Sequence, residues 1–263
     1  MALIVLTSAS GSPGVTTTAL ALVLTWRRPA LLVEADPTGG SALLAGYFRG
    51  RAAPTDSLID LAFAHRDGTL PEAIPAVTMR IPGSAATLIP GTRAHGQARS
   101  LASLWEPLAQ AFSSLDAVGQ DVIVDAGRLG LDGYPEPLLY AADLTLLVTR
   151  TDLVALAGAR SWAETLRGGF EQHGTSTGFA LLTVGDARPY TAREVTDVLQ
   201  VPVLASVAWD EPAAAVFSHG HDAPRNLDRT RLLRSLRSAQ DAISTRVATL
   251  REPLAEPEPE KTR

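Results

Sequence analysis

Residues Ser10–Thr18, with the sequence SGSPGVTTT, decide the fold of this chain. They follow an apolar run, Ala2–Leu6, and they open a second apolar segment of helical period, Leu20–Trp26. A strand, a glycine-rich turn and the start of a helix, in that order, form a cradle in which backbone N–H groups and the helix dipole hold phosphate. The stretch therefore predicts a phosphate-binding loop.

The loop lacks the positive charge that such cradles carry. Val15 stands immediately before the hydroxyl pair Thr16 and Thr17, at the position where a phosphate-binding loop normally has lysine. Pro13 has no N–H group and therefore offers one donor fewer. The only lysine in the chain is Lys261, so every other residue of the Lys/Arg class is an arginine. We expect weakened phosphate binding unless an arginine compensates.

The composition indicates a globular protein with a substantial core. The 263 residues are 46% hydrophobic, their net charge is −5, and none is cysteine, which excludes disulfides and cysteine-based sites. The apolar opening lacks a basic segment and runs straight into the glycine-rich turn, which indicates a strand rather than a signal peptide. The lack of cysteine also favours the cytoplasm. No apolar window approaches the ~20 residues that span a bilayer, so we expect no transmembrane segment.

Apolar, β-branched runs alternate with segments of helical period along most of the chain. Continuous apolar runs are typical of parallel strands that helices cover on both faces, and they are found at Ala2–Leu6, Ala30–Val33, Asp121–Val124, Leu144–Val148, Phe179–Val184 and Val201–Leu204. Helices are predicted at Thr17–Trp26, Ser57–His65, Leu101–Leu115, Leu153–Phe170, Ala192–Leu199 and Arg229–Leu250. The alternation predicts an α/β fold, with a single doubly wound, mostly parallel sheet and helices on both of its faces.

Two segments depart from this alternation. Leu70–Arg93 is rich in proline and glycine, which predicts short strands and turns around Ala86–Ile89. The last residues, Glu252–Arg263, are acidic and broken by prolines, so we expect a disordered tail there. The predicted organisation is one domain over residues 1–251, followed by the tail at 252–263.

Two aspartates follow predicted strands, as the glycine-rich loop does. Asp36 comes just after Ala30–Val33, and Asp125 comes directly after Asp121–Val124. Ligands of doubly wound sheets bind at the carboxyl ends of the strands, so we expect the loop and both carboxylates to meet in one crevice. In the alternative interpretation the glycines serve only a tight turn, and the carboxylates cap helices or face solvent.

The order of these motifs resembles that of the ParA/MinD family of P-loop ATPases, whose Walker A loop is a deviant form. Ser10–Thr17 aligns with the family loop KGGxGKTT, Glu34–Gly39 aligns with DxDPxG, and Asp125 aligns with the Walker B aspartate. Val201–Gly220 is similar to the family's closing strand, loop and helix, and the resemblance extends as far as Leu250. It implies the same doubly wound fold.

The resemblance also implies a site for ATP or ADP with Mg²⁺. Thr16 and Asp125 would hold the metal, and Asp36 would position the attacking water. The nucleotide-binding residues would be those of the loop, namely Gly11, Ser12, Gly14, Val15, Thr16 and Thr17.

Both lysines that characterise the family loop are missing, so the loop is degenerate. The lysine that reaches the phosphates of a dimer partner is replaced by Ser10, and the lysine inside the loop is replaced by Val15. Losing two charge-assisted contacts, each worth roughly 1.5–3 kcal/mol, weakens nucleotide binding strongly. Arg128 and Arg150, which each follow a predicted strand, are the candidates to replace the charge.

These features predict a positioning or regulatory scaffold with weak or no ATP hydrolysis. Relatives of this kind include locator proteins of pilus and secretion machines (TadZ/CpaE-like), so we expect a protein partner and a homodimer. One alternative is an active Mg²⁺-ATPase of the chromosome- or plasmid-partitioning type, with ATP-dependent dimerisation and nonspecific DNA binding through Arg231, Arg234 and Arg237. The other is a constitutive dimer with an empty loop, which an exposed apolar patch at the dimer face would favour.

Overall fold

One eight-stranded sheet organises the computed structural model, which describes residues 2–113, 115 and 119–252. The strands lie in the order β3-β4-β2-β5-β1-β6-β7-β8, and β3 is antiparallel to β4 while the other neighbours are parallel. Their bounds are β1 (Leu3–Ser8), β2 (Ala30–Glu34), β3 (Met79–Arg80), β4 (Thr87–Ile89), β5 (Asp121–Arg128), β6 (Leu144–Arg150), β7 (Phe179–Val184) and β8 (Val203–Val207). Strand β1, which leads into the glycine-rich loop, therefore lies in the middle of the sheet between β5 and β6.

Helices connect the strands and cover both faces of the sheet. Their bounds are α1 (Val15–Thr25), α2 (Ala42–Ala45), α3 (Leu58–Arg66), α4 (Leu70–Val77), α5 (Trp105–Ser113), α6 (Glu136–Ala141), α7 (Leu153–Gln172), α8 (Ala192–Leu199), α9 (Glu211–Ser218) and α10 (Arg231–Arg251). In the described part of the chain, no helix combines the length and the apolar character needed to cross a membrane.

Alternate residues of the strands pack into two separate cores, one on each face of the sheet. The first core contains Trp105, Phe112 and Phe170, together with the buried sides of α3 to α8. The second contains Leu20 and Leu236 and is covered by α1, α2, α9 and α10. This arrangement confirms the predicted doubly wound fold with helices on both faces of the sheet.

Helix α4 differs from the sequence-based expectation, and the predicted tail stays untested. Helix α4 forms in the segment for which only strands and turns were predicted, because Leu70, Ile74 and Val77 recur at helical spacing and are all buried. Pro71 lies in the first turn, where the missing N–H group costs no hydrogen bond, and the helix also accommodates Pro75. The predicted tail lies outside the described residues except for Glu252, so its disorder and the domain boundary stay predictions.

A buried aspartate at the start of β5 ties the amino-terminal segment to the sheet. Asp121 accepts hydrogen bonds from the backbone N–H of Ala2 at 2.7 Å and from Trp26 Nε1 at 2.9 Å. Arg28 Nη1 lies 3.5 Å from the same carboxylate. The charge is thus paired and hydrogen-bonded, as a buried carboxylate requires.

We predict that Asp121→Ala lowers the free energy of unfolding by about 2–4 kcal/mol, because the buried N–H of Ala2 and the partly buried indole N–H of Trp26 lose their acceptor. Denaturant unfolding followed by circular dichroism measures the loss. Asp241→Ala is the matched control, since Asp241 also pairs with an arginine, Arg27, but at the surface. The control should cost less than about 1 kcal/mol. Equal losses in the two variants would contradict this account of Asp121.

Candidate functional site

The glycine-rich loop turns sharply at the carboxyl end of β1 and delivers the chain into α1. Ser12 has a φ of 45° and Gly14 has a φ of 96°, so both lie in the left-handed region. Gly14 is the residue before the first turn of α1, and no acidic side chain occupies that turn. The free N–H groups at the start of α1 therefore face the crevice without a competing carboxylate, which is the geometry that attracts an anion.

The two positions at which the family has lysine are both turned away from the phosphate cradle. The side chain of Val15 is only 6% exposed and belongs to the core beneath α1. The hydroxyl of Ser10 lies against Gly158 of α7, where an added Cβ atom would come within 2.2 Å of Ser10 Oγ. The loop is therefore built around small and apolar side chains, and its own residues bring no cation.

Two carboxyl groups lie side by side beneath the loop. Asp125 pairs in register with Leu6 of β1 on one side and with Glu34 of β2 on the other. Glu34 Oε1 accepts a hydrogen bond from Ser41 Oγ at 2.8 Å, and Oε2 accepts one from the N–H of Gly91 at 3.0 Å. Burial raises the pKa of Glu34, while these hydrogen bonds act in the opposite direction. Glu34 thus joins two loops at the carboxyl edge of the sheet.

Asp125 is fully buried and only half satisfied. Its Oδ1 accepts a hydrogen bond from the N–H of Gly127 at 3.0 Å, but its Oδ2 has no partner among the described residues. Burial raises the pKa of Asp125 to about 7, and the negative charges of Asp36 and Glu34 act in the same direction. The hydroxyl of Thr16 is near enough to lower that pKa, although no hydrogen bond of ordinary geometry reaches Oδ2. An orphaned carboxylate oxygen in a dry site calls for a cation or a proton.

Asp36 completes the acidic floor of the crevice. Its Oδ1 accepts a hydrogen bond from the N–H of Thr38 at 2.8 Å. Its carboxyl group rests on Gly127, where an added Cβ atom would lie 2.3 Å from Asp36 Cγ. A small cavity of about 30 Å³ lies between Thr16, Glu34 and Asp36. Such a volume holds about one water molecule or a small ion.

These residues fit Mg²⁺ only when other oxygens complete its coordination. Thr16 Oγ1 and Asp125 Oδ2 are hard oxygen ligands of the kind that Mg²⁺ takes. Within the described residues, however, no group of three or more acidic, His or Cys side chains is arranged to hold a metal ion. Mg²⁺ is commonly bound by one or two protein ligands together with waters and substrate phosphates. The donor set therefore suits a metal that arrives with a phosphate.

A larger cavity of about 590 Å³ opens on the other side of the loop. Its lining includes the loop residues Ser12 to Gly14, Thr17 of α1, Arg150 at the end of β6, and Trp209 after β8. The sequence reasoning identified Arg150 but missed Trp209. Its position two residues beyond a strand was the available signal, because the carboxyl ends of all parallel strands meet at this edge. Arg128, the other candidate cation, is exposed at the end of β5 and does not line this cavity.

The arginines of the last helix lie on its exposed side, away from the core contacts of α10. Arg231 and Arg234 are exposed, and neither has an ion-pair partner within the described part of the chain. Arg237 is also exposed, but its Nη2 lies 3.0 Å from Asp228 Oδ1. The predicted basic face therefore exists, with one of its three charges already paired.

Solved structures with this fold include MinD and ParA proteins. The septum site-determining protein MinD from Pyrococcus horikoshii, complexed with Mg-ADP, is 17% identical, with a TM-score of 0.68 over 96% of this chain and 100% of that one. The ParA family ATPase from Chlorobium tepidum is 17% identical, with a TM-score of 0.68 over 92% and 99%. The MinD of the Aquifex aeolicus MinC:MinD cell division complex is 14% identical, with a TM-score of 0.68 over 93% and 96%. The fold predicted from the motifs is thus confirmed.

Sequence comparison gives no narrower assignment. No protein-family model matches the chain, and no curated protein matches it. At these identities the structural likeness shows the fold alone. The roles assigned to individual site residues, including the nucleotide contacts of the loop, stay predictions.

The raised pKa of Asp125 predicts how stability depends on pH. Between about pH 4 and pH 7 the folded chain holds a proton on Asp125 that the unfolded chain has lost, so stability falls as pH rises through this window. Asp125→Asn removes this titration. It should therefore stabilise the ligand-free protein by up to about 4 kcal/mol above pH 7, with the gain shrinking toward pH 4.

Urea unfolding at a series of pH values measures this effect. Asp67→Asn, at an exposed aspartate after α3, is the control and should follow the wild-type curve. If Asp125→Asn and the wild-type protein had the same pH slope, Asp125 would not titrate in this range.

Proposed function

We propose that this chain is a ParA/MinD-like positioning or regulatory protein that binds Mg²⁺ with ATP or ADP and hydrolyses ATP weakly or not at all. The protein would contact a second copy of itself and a protein of a larger assembly, such as a pilus or secretion machine. The scaffold branch of the family is favoured because both loop lysines are absent.

The observation that carries the proposal is the unpartnered Oδ2 of buried Asp125 beneath an open phosphate loop. A loop that served only as a tight turn would gain nothing from a half-satisfied carboxylate at its base, since such a group costs about 1–3 kcal/mol or more. The arrangement is accounted for if a cation reaches Oδ2 and Thr16 while an anion reaches the N–H groups of the loop. A magnesium-bound nucleotide supplies both charges at once.

The residues of the chain would divide the work between binding and positioning. The N–H groups of Gly14 to Thr17 would donate to phosphate oxygens, and Thr16 and Asp125 would hold Mg²⁺, which neutralises part of the phosphate charge when it is bound. Asp36 stands at the edge of the same crevice, where its carboxylate is able to orient a water.

Weak hydrolysis follows from the missing charge. Phosphoryl transfer depends on neutralising the charge that develops on the transferring group, and loop lysines commonly do so in P-loop proteins. Here Val15 is held in the core and Ser10 lies against α7, so neither position contributes a cation. Binding a nucleotide needs less charge neutralisation than hydrolysing it does. The chain would therefore bind ATP but hydrolyse it slowly or not at all.

The proposed contact with a second copy has one supporting feature at the same edge of the sheet. Leu153 and Val154 begin α7, directly after β6, and are 66% and 83% exposed. A protein of similar fold, the MinD of Aquifex aeolicus, was solved in complex with a protein partner, MinC. We propose that a homodimer forms across this edge and that a protein partner recognises it. We also propose that the protein acts in the cytoplasm; no helix of the described residues is long and apolar enough to span a membrane.

The metal-dependent part of the proposal is tested by thermal unfolding with ADP, with and without Mg²⁺. With Mg²⁺, ADP at one hundred times the dissociation constant should stabilise the wild-type protein by about 2.7 kcal/mol, and the same ADP without Mg²⁺ should stabilise it by about 1.4 kcal/mol or less. Asp125→Asn should lose this response, and Asp67→Asn should retain it. Turnover of ATP should stay at background in the wild-type protein and in Asp36→Ala alike. Measurable turnover that Asp36→Ala abolishes would instead favour the active ATPase.

The partitioning-type alternative rests on the free arginines of α10. Arg231 and Arg234 are exposed and unpaired within the described residues, so they are available to phosphates of a DNA backbone. The net charge of −5 makes such binding weak and local rather than general.

Fluorescence anisotropy with duplex DNA at several salt concentrations tests this alternative. If the basic face binds DNA, changing Arg231 and Arg234 to Ala should make the plot of log K against log salt concentration less steep. The slope should fall in magnitude by about 0.9 for each lost phosphate contact. Arg237→Ala is the control and should have a smaller effect, since Asp228 already pairs with Arg237. Absence of DNA binding at low salt, with Mg²⁺ and ATP present, would exclude the partitioning role.

A further inference from the structure

We infer that Arg150 is the cation of the phosphate loop: it reaches the loop from β6 and binds the nucleotide phosphates in place of the missing lysines. This inference rests on the proposed function, because it assigns a phosphate-binding residue to the same site. Arg150 stands at the last position of β6, the strand next to β1, so the guanidinium approaches the loop from outside.

The guanidinium is already joined to the loop. Arg150 Nη2 donates a hydrogen bond to the carbonyl oxygen of Ser12 at 3.2 Å. The Ser12 carbonyl oxygen, a backbone acceptor of the loop, therefore points toward Arg150. The loop contains Pro13, which has no N–H group to offer, so the Arg150 side chain adds donors where the backbone lacks one.

A second contact fixes the plane of the guanidinium. Arg150 Cζ lies 4.8 Å from the centre of the Trp209 ring, in a cation–π arrangement. Held on one side by Ser12 and on another by Trp209, the group loses little further freedom when it binds an anion. A planar fork of N–H donors suits the oxygens of a phosphate.

One N–H donor of Arg150 has no partner among the described residues, which indicates a ligand. Its Nε is buried and has no hydrogen-bond partner among the described residues. The same residue lines the cavity of about 590 Å³ together with Gly14 and Thr17 of the loop and helix start. Arg150 is thus a charged group with an unpaired donor that lines a cavity beside an anion cradle, and an anion that enters this cavity suits such a group.

Arg128 supplies the matched comparison. It also ends a central strand, β5, but it is exposed and does not line the cavity. The sequence alone does not distinguish which of these two arginines replaces the missing lysines. Their contacts distinguish them.

The experiment compares Arg150→Gln, Arg150→Lys and Arg128→Gln with the wild-type protein. Calorimetric titration with Mg-ADP and with Mg-pyrophosphate, which has no base, gives the affinity for the complete nucleotide and for phosphates alone. Arg150→Gln should lower the affinity for both ligands by the same factor, about 10- to 100-fold, because one charge-assisted contact to phosphate is lost. Arg150→Lys should recover part of the loss, and Arg128→Gln should stay within about twofold of the wild type.

Each contrary outcome has a distinct meaning. If Arg150→Gln bound Mg-ADP as the wild type does, the inference would be overturned while the proposed function stood. If it weakened Mg-ADP but not Mg-pyrophosphate, Arg150 would act on the base, and the assignment to phosphate would be wrong. If the wild-type protein bound neither ligand, the proposed function and the inference would fail together. Circular dichroism of each variant and the partial recovery in Arg150→Lys separate these effects from misfolding.

Discussion

The desolvated carboxyl group of Asp125 is the constraint on which the rest of the site depends. It lies between Leu6 of β1 and Glu34 of β2, fully buried, with one oxygen hydrogen-bonded to Gly127 and the other without a partner among the described residues. Ionising it in that position is costly unless a cation arrives, and this cost raises its pKa to about 7. Immediately above it, the start of α1 presents N–H groups that favour an anion. A metal ion bound to phosphate is the ligand that satisfies both.

The supply of positive charge separates this site from that of an ordinary P-loop protein. Val15 contributes to the core beneath α1, and Ser10 fits against Gly158, so the loop is closed by packing rather than by a lysine. In our proposal the charge comes instead from the neighbouring strand, through Arg150, which contacts Ser12 of the loop and the ring of Trp209. A guanidinium fixed outside the loop is suited to binding a phosphate. It is less suited to neutralising the charge that develops on the phosphoryl group during hydrolysis. The proposed function therefore expects binding without rapid turnover, which is the behaviour that a regulatory scaffold requires.

The sequence predicted the fold well because buried parallel strands leave an unbroken apolar signal. Each of the six predicted apolar runs overlaps a strand, although β8 begins only at Val203. The meeting of Asp36, Asp125 and the loop followed from the rule that strand ends converge. Helix α4 was not predicted because Pro75 lies inside it, and a proline within a helical pattern argues against a helix. The choice between Arg128 and Arg150, and the part taken by Trp209, depend on contacts between distant segments. No local pattern of residues records such contacts.

Calorimetric titration of the wild-type protein with ATP, with and without Mg²⁺, tests the central claim most directly. If Asp125 and Thr16 hold a metal that a nucleotide brings, binding should be tighter than about 100 μM with Mg²⁺ and at least tenfold weaker without it, a difference of about 1.4 kcal/mol. The same affinity in both conditions would contradict the metal role of Asp125. No heat and no thermal stabilisation at millimolar Mg-ATP would contradict the account as a whole and would leave a loop that serves only the fold.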